Sequence, residues 1–413
     1  MKVILTNSYS DFNKGDLGII EGTINCLKSV KKDIEIEAIS SFNSRDIWFE
    51  THHSELRAKV TKVHPAIIGR LTNSNRLFML GELAFDLVRM FMFYFGPFLI
   101  LKNILFTPSE QKTLKALRDS DIVITKGGSF ICNVRGLIGF LRFIREMTIL
   151  VIAIRMNKKV VIWGQSIGPV YGFLPLKLVN WILEKVKLVV VREEKCLENY
   201  PCIVFPKNKT ILGYDLAFNI VDPRSLDKRN KNYGTVGITI RRFKDRKEDE
   251  IYSKTFKQVI EYLILKLKKT IVIVPHVTID DDTDKAIEIY KTIDDKLKDR
   301  VQVLTEDYSG RDLLKVYSEF DFVIGTRLHS TIFAMAVQTK AINIGYHGTK
   351  SSGVFKNFNI SEFVIEGVDM TADKVIKTVK KLVATSAEDL DLKNNVLKAQ
   401  NRNLEIAGKI LCL

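Results

Sequence analysis

The sequence predicts an α/β protein made of two doubly wound, Rossmann-like domains facing a cleft. Three observations lead there. Short runs rich in Val, Ile and Leu alternate with helical stretches along almost the whole chain. At 413 residues the chain is too long for one ordinary domain and comfortable for two. A polar, charge-rich segment at 221–234, VDPRSLDKRNKNYG, interrupts the alternation and suits a linker.

In the first half, strands are expected at 2–6, 34–39, 121–125, 159–164 and 188–192. Beyond the linker they recur at 235–241, 270–275, 301–305, 320–325 and 341–346. Each is an apolar run bounded by Gly, Pro or charge, as buried parallel strands are. Helices with apolar spacing near 3.6 sit between them, for example at 16–30, 256–267 and 311–318. The expected division is 1–220 as an acceptor-side domain, 230–370 as a donor-binding domain, and 371–413 as a helical tail that can pack back on the first domain.

Composition narrows the class. Hydrophobic residues make up 46% and charged residues 27%, a globular balance. The five cysteines are odd in number and show neither CxxC pairs nor zinc spacing, which predicts free thiols in a reducing compartment. The start, MKVILTNSYSDFNKGD, lacks a signal peptide's apolar stretch, so a cytoplasmic protein is expected. The net charge of +15 favours anionic partners. Its lysines are scattered and not interleaved with aromatics, which argues against nucleic acid. Residues 76–106 are Phe- and Leu-rich but interrupted by Glu82, Asp86, Arg89 and Gly96-Pro97, too broken to span a bilayer. They read as core helices or as an element resting on the inner face of a membrane, the core being slightly favoured.

In doubly wound sheets ligands bind beyond the carboxyl ends of the strands. The first strand leads into Asn13, Lys14, Gly15 and Asp16, where Asp16 reads either as a helix N-cap or as a base toward a sugar hydroxyl. Lys126, Gly127, Gly128 and Ser129 follow the third strand, where glycines permit close approach of a ligand, or simply turn the chain. Gln165 follows the fourth and is placed to hydrogen-bond a sugar, while Arg192 ends the fifth, either as a functional group or in a surface ion pair with Glu193 or Glu194. Arg241 and Arg242 follow the first strand of the second half and alternate between its faces. The sharpest element is GTRLH at 325–329. It sets Arg327 and His329 at a helix N-terminus, solvent-facing, an arrangement electrostatically unfavourable unless an anion lies there. His347 and Lys350 follow the last strand.

Together these segments resemble polysaccharide pyruvyl transferases. The matching elements are Asn13-Lys14-Gly15-Asp16, Lys126-Gly127-Gly128-Ser129, Gly164-Gln165-Ser166-Ile167-Gly168-Pro169, Arg192-Glu193 and Asp215-Leu216-Ala217-Phe218. They continue with Val236-Gly237 through Arg241, Gly325-Thr326-Arg327-Leu328-His329, and Tyr346 with Lys350. Departures are Lys126 where many relatives have a third glycine, Leu216 where many have proline, and one extra residue in the late element.

The resemblance implies a fold like B-type glycosyltransferases. It also implies phosphoenolpyruvate as donor substrate, with no other cofactor and no metal, and a saccharide acceptor in surface or capsular polysaccharide synthesis, lipid-linked or not. Donor binding carries over to Arg241, Arg327, Leu328, His329 and Lys350. Asn13, Gly15, Asp16, Gly127, Gly128, Ser129 and Gln165 fall to the acceptor. His329, Asp16 and Arg327 are the expected catalytic groups. A nucleotide-sugar glycosyltransferase of the same architecture is the alternative, since its donor is also anionic.

Overall fold

The computed structural model of the chain describes residues 1–69, 76–221, 234–346, 350–386 and 388–413. Most of the expected linker, 222–233, and His347 lie outside the described residues. Two compact units emerge from the contacts. One comprises Met1–Asp11, Ile19–Asp215 and Asn403–Leu413, the other Phe12–Gly18 and Leu216–Arg402.

The first unit holds strands β1 (Lys2–Ser8), β2 (Glu35–Ser40), β3 (Lys62–His64), β4 (Ile122–Thr125), β5 (Lys159–Gln165), β6 (Leu188–Val191) and β7 (Thr210–Leu212). They form one parallel sheet in the order β3-β2-β1-β4-β5-β6-β7. The interior strands β4 and β5 are buried almost throughout, as a sheet covered on both faces requires. The helix Leu137–Arg155 packs Phe143, Met147, Leu150 and Val151 into this unit's core.

The Phe-rich segment divides its side chains. Met90, Phe93, Phe98, Leu105 and Phe106 lie in the core, and Arg89 is buried between Asp86 and Glu110. Phe91, Phe95, Ile100 and Ile104 point outward. Core packing and exposure thus coexist along one helix, Arg76–Phe95, and the turn after it. Among the described residues no helix is long and apolar enough to cross a membrane.

The second unit holds β8 (Thr235–Thr239), β9 (Thr270–Ile273), β10 (Val301–Val303), β11 (Phe322–Gly325), β12 (Lys340–Gly345) and β13 (Val364–Glu366). Again all pairs are parallel, in the order β10-β9-β8-β11-β12-β13. Strand order reverses between β1 and β4 in the first sheet and between β8 and β11 in the second. These are the topological switch points where doubly wound folds bind ligands. All five cysteines are free, with Cys26 and Cys196 buried.

Candidate active site

The switch point of the second sheet brings the ends of β8 and β11 together, and hydroxyl groups join them. The Tyr252 hydroxyl accepts from the Arg241 backbone N–H at 3.2 Å and lies 2.9 Å from Thr326 Oγ1. Thr326 Oγ1 donates to the Thr239 carbonyl at 2.8 Å, and Ser330 Oγ donates to the Arg327 carbonyl at 2.6 Å. Tyr252, Thr239, Thr326 and Ser330 are all buried, so the relay fixes where Arg241 and Arg327 leave the sheet. Gly325 is required by close approach: a Cβ there would lie 2.5 Å from Thr331 Cγ2 and 2.6 Å from Ser330 Oγ. The helix Leu328–Ala336 therefore starts directly on the strand end, and no side chain caps it.

Arg327 does not face solvent as its position in the sequence suggested. It is 8% exposed, and its guanidinium is clamped by Asp282, with Nε donating to Oδ2 at 3.0 Å and Nη2 to Oδ1 at 2.5 Å. Nη1 donates to Asp280 Oδ2 at 3.1 Å. Burial works against this charge, but Asp282, then Tyr346 and Asp280, more than offset it and raise the Arg327 pKa above its ordinary value. The anion that this basic helix start needs is thus supplied by the protein's own carboxylates. Asp280 and Asp282, in a run of three acids at 280–282, carried no signal in the sequence beyond a charged surface turn.

Arg241 is different. Its guanidinium carbon lies 3.7 Å from the centroid of the Tyr346 ring and 4.9 Å from that of Phe243. Its Nε donates to the Arg242 carbonyl at 3.3 Å, and among the described residues it forms no ion pair. Arg242 is instead engaged by Glu288 at 2.5 Å. Lys350 stands 5.8 Å from the same Tyr346 ring. Burial pushes the Tyr346 phenol up, yet Arg327, Lys350 and Arg241 outweigh it and hold the phenol below its ordinary value. Tyr346 is thereby the platform on which the cationic groups converge.

The segment Phe12–Gly18 leaves β1 but is grouped with the second unit. Asn13 pairs with Val277 in an antiparallel bridge. The Lys14 N–H donates to the His276 carbonyl at 3.3 Å, and the Thr278 N–H to the Phe12 carbonyl at 3.0 Å. The helix Lys14–Val30 is capped by Asn13, whose Oδ1 accepts the Asp16 N–H at 3.2 Å, so Asp16 is not the cap. Asp16 accepts from Asn13 Nδ2 at 3.2 Å and is partly exposed in the first turn. At Gly15 a Cβ would fall 2.4 Å from His329 Nδ1, so only glycine lets this turn lie against the imidazole. Asn13, Gly15, Asp16, Arg241, Arg327, Leu328, His329 and Lys350 consequently all belong to one unit.

His276 had no assigned role in the sequence. It is buried, with Nδ1 3.2 Å from Tyr317 Oη and Nε2 without a hydrogen-bond partner among the described residues. Burial, then His329, Arg327 and Lys14, lower its pKa well below the ordinary value, so it is neutral.

Within the first unit, the remaining candidates lie at the carboxyl ends of β4 and β5. The Gly128 N–H donates to the Gly164 carbonyl at 2.9 Å, and the Ser166 N–H to the Gly128 carbonyl at 2.7 Å. A Cβ on Gly127 would meet Ile19 at 2.8 Å, so the protein itself fills the space the glycines open. Gln165 is buried and its Nε2 donates to the Lys126 carbonyl. Ser129 alone in this group is partly exposed. Arg192 is no surface residue: it is 1% exposed, donating to Asp215 Oδ2 at 2.5 Å and to Ser166 Oγ at 2.8 Å. Asp215 of the DLAF motif is a partner that the sequence did not suggest.

The family profile described as polysaccharide pyruvyl transferase matches residues 13–348. The chain belongs to the polysaccharide pyruvyl transferase family. The match starts at the Asn13 turn, includes Arg241, Arg327, Leu328 and His329, and stops just short of Lys350. A relative of this pyruvyl transferase is the amylovoran biosynthesis protein AmsJ of Erwinia amylovora, 25% identical, covering 99% of this chain and 98% of its own. By fold it is similar to a UDP-GlcNAc 2-epimerase of Neisseria meningitidis bound to UDP-GlcNAc. That likeness has a TM-score of 0.58 at 11% identity over 100% of both chains. Anabaena HepE in complex with UDP-glucose is also similar, with a TM-score of 0.56 at 12% identity over 99% and 97% of the two chains. These likenesses show the fold alone, a pair of Rossmann-like α/β domains.

Proposed function

We propose that the protein moves the pyruvyl group of phosphoenolpyruvate onto two hydroxyls of a saccharide during exopolysaccharide assembly in the cytoplasm. The observation that carries the donor assignment is Arg241. It is an arginine at a switch point, held in place by aromatic rings and its own loop, with no carboxylate of the protein on it among the described residues. A guanidinium so placed is suited to a carboxylate or phosphate. The nearby Lys350 adds a second cationic group beside the same Tyr346 ring. The AmsJ relative, named for amylovoran biosynthesis, supports the exopolysaccharide setting.

In this reading the methylene carbon of phosphoenolpyruvate gains a proton, for which His329 is the candidate acid. C2 becomes cationic, two sugar oxygens bond to it, and the C2–O bond to phosphate breaks. Two hydroxyl protons are given up; one replaces the proton delivered to the methylene and one leaves with phosphate. Asp16 is the candidate base, and Ser129 a candidate contact of the acceptor. Gly127, Gly128 and Gln165 shape the loop that bears Ser129.

The test is a pair of measurements. Phosphoenolpyruvate at a hundred times its dissociation constant stabilises a protein by about 2.7 kcal/mol, which is read as a rise in melting temperature. That rise is expected to vanish in Arg241→Ala, and candidate acceptors are expected to trigger phosphate release in the unsubstituted protein. A rise with UDP-sugars and none with phosphoenolpyruvate would overturn the donor assignment in favour of a glycosyltransferase.

A further inference from the structure

The loops that leave β4 and β5 end in an exposed apolar tip. Val134, Leu137 and Ile138 lie on one, Phe173 and Leu174 on the other, each between 60% and 84% exposed. Such exposure is high for five large side chains on two adjoining loops. The loops are tied to each other. Asn133 Nδ2 donates to the Tyr171 carbonyl at 2.9 Å, and the Tyr171 N–H donates back to Asn133 Oδ1 at 2.6 Å. The Asn133 N–H also donates to the Pro169 carbonyl at 3.0 Å.

Both loops are built alike. Gly136 and Gly172 have φ of 95° and 94°, and each is followed at once by two exposed apolar residues that open a helix. The tip is held by its backbone, so its apolar side chains need no packing of their own.

Charge selects the occupant. Arg135 and Lys177 lie over the rings of Tyr171 and Phe173, at 4.9 Å and 6.0 Å, and Arg142 is exposed one turn into the first helix. Neither the stretch 130–145 nor the stretch 166–182 contains an Asp or Glu. Apolar side chains interleaved with cations and free of carboxylates match a bilayer bearing anionic headgroups. A protein partner or a second copy, by contrast, would bring acids or bases in mixture.

We propose that this tip, residues 134–138 with 171–174, docks on the surface of an anionic phospholipid bilayer. It rests on the reading of the acceptor as a saccharide and adds that the acceptor is lipid-linked. The same loops carry Ser129 and Gln165 at their roots, so docking holds the acceptor-side loops at the membrane surface. On the Phe-rich helix Arg76–Phe95, also exposed in part, the cation among the described side chains is Arg89, which is buried and paired with Asp86 and Glu110.

The experiment is flotation of the full chain with phosphatidylcholine vesicles and with phosphatidylcholine–phosphatidylglycerol vesicles. The protein is expected to float with the anionic vesicles only. The pairs Ile138→Ser with Phe173→Ser, and Arg135→Glu with Lys177→Glu, are each expected to weaken binding about tenfold or more. Thermal unfolding checks that both stay folded, and phosphate release with a water-soluble acceptor is expected to be unchanged. Flotation needs neither donor nor turnover, so failure of the transfer chemistry leaves this result standing, and the reverse holds too. Binding untouched by both pairs, or lost only on replacing Phe91 and Phe95 with Ser, overturns the tip assignment. So does a dimer that the tip substitutions dissociate.

Discussion

Arg192 in the first unit and Arg241 in the second stand in the same topological place, just past the carboxyl end of a parallel strand. Their surroundings differ. Arg192 is buried and its donors go to Asp215 and Ser166. Arg241 is partly exposed, lies on Tyr346 and Phe243, and meets no acid among the described residues. Position after a strand makes an arginine available; the partner decides its use. A carboxylate at 2.5 Å turns it into a brace, and an aromatic platform leaves its donors for an anion from outside. Arg327 lies between the two cases, at the candidate site yet clamped by Asp282 and Asp280.

The largest effect is expected where the brace is removed. Arg192→Ala removes the arginine that pairs with the buried Asp215 carboxylate, a loss of about 3–5 kcal/mol in stability. Urea unfolding measures it. Arg327→Ala is expected to destabilise by a similar amount, about 3–5 kcal/mol, because Asp282 is fully buried. Arg327→Lys keeps the charge but cannot span both Asp282 oxygens, and falls in between. A stability change under about 1 kcal/mol in Arg192→Ala, accompanied by lost turnover, would break the comparison by making Arg192 a ligand-binding group.

Arg241→Ala is the converse. Stability is expected to move by about 0.5 kcal/mol or less, as for surface changes that remove no buried partner. Donor binding, followed by calorimetry with phosphoenolpyruvate, is expected to weaken by about 2–5 kcal/mol. Equal losses in both measurements would show that Arg241 is a brace after all.

Much of this was legible in the sequence, and the failures have physical causes. Interior strands such as Ile122–Thr125 and Lys159–Gln165 read clearly because both faces are buried and the apolar run is unbroken. The strands that escaped notice, Lys62–His64, Thr210–Leu212 and Val364–Glu366, are three residues long and lie at sheet edges, where little pattern is needed. The motifs put Arg241 after one strand and Arg327 with His329 after another, and these strands are β8 and β11. They did not show that Arg327 is clamped by acids 45 and 47 positions away, since non-local pairing leaves no local trace. For the same reason the Asn13 turn, contiguous with β1, gave no hint that Asn13 bridges to Val277.

The smallest effect sharpens the comparison most, because it tests the platform rather than the charge. If Tyr346 holds Arg241 ready for an anion, then Tyr346→Phe keeps a ring under the guanidinium and Tyr346→Leu does not. A cation–π contact is worth about 0.5–1 kcal/mol when exposed and about 2 kcal/mol when desolvated. Tyr346→Leu is therefore expected to weaken phosphoenolpyruvate binding by about 1–2 kcal/mol, and Tyr346→Phe by less. The hydroxyl enters separately. Arg327, Lys350 and Arg241 hold its pKa below the ordinary tyrosine value, so it ionises at lower pH than a free phenol. A phenolate beside the cations competes with an incoming anion, so donor affinity is expected to fall as pH rises through that ionisation. In Tyr346→Phe this part of the decline disappears. Calorimetric titrations of the two variants across alkaline pH separate the contributions. Should Tyr346→Leu bind as tightly as the unsubstituted protein at neutral pH, the ring has no part in presenting Arg241, and the contrast with Arg192 rests on the missing carboxylate alone.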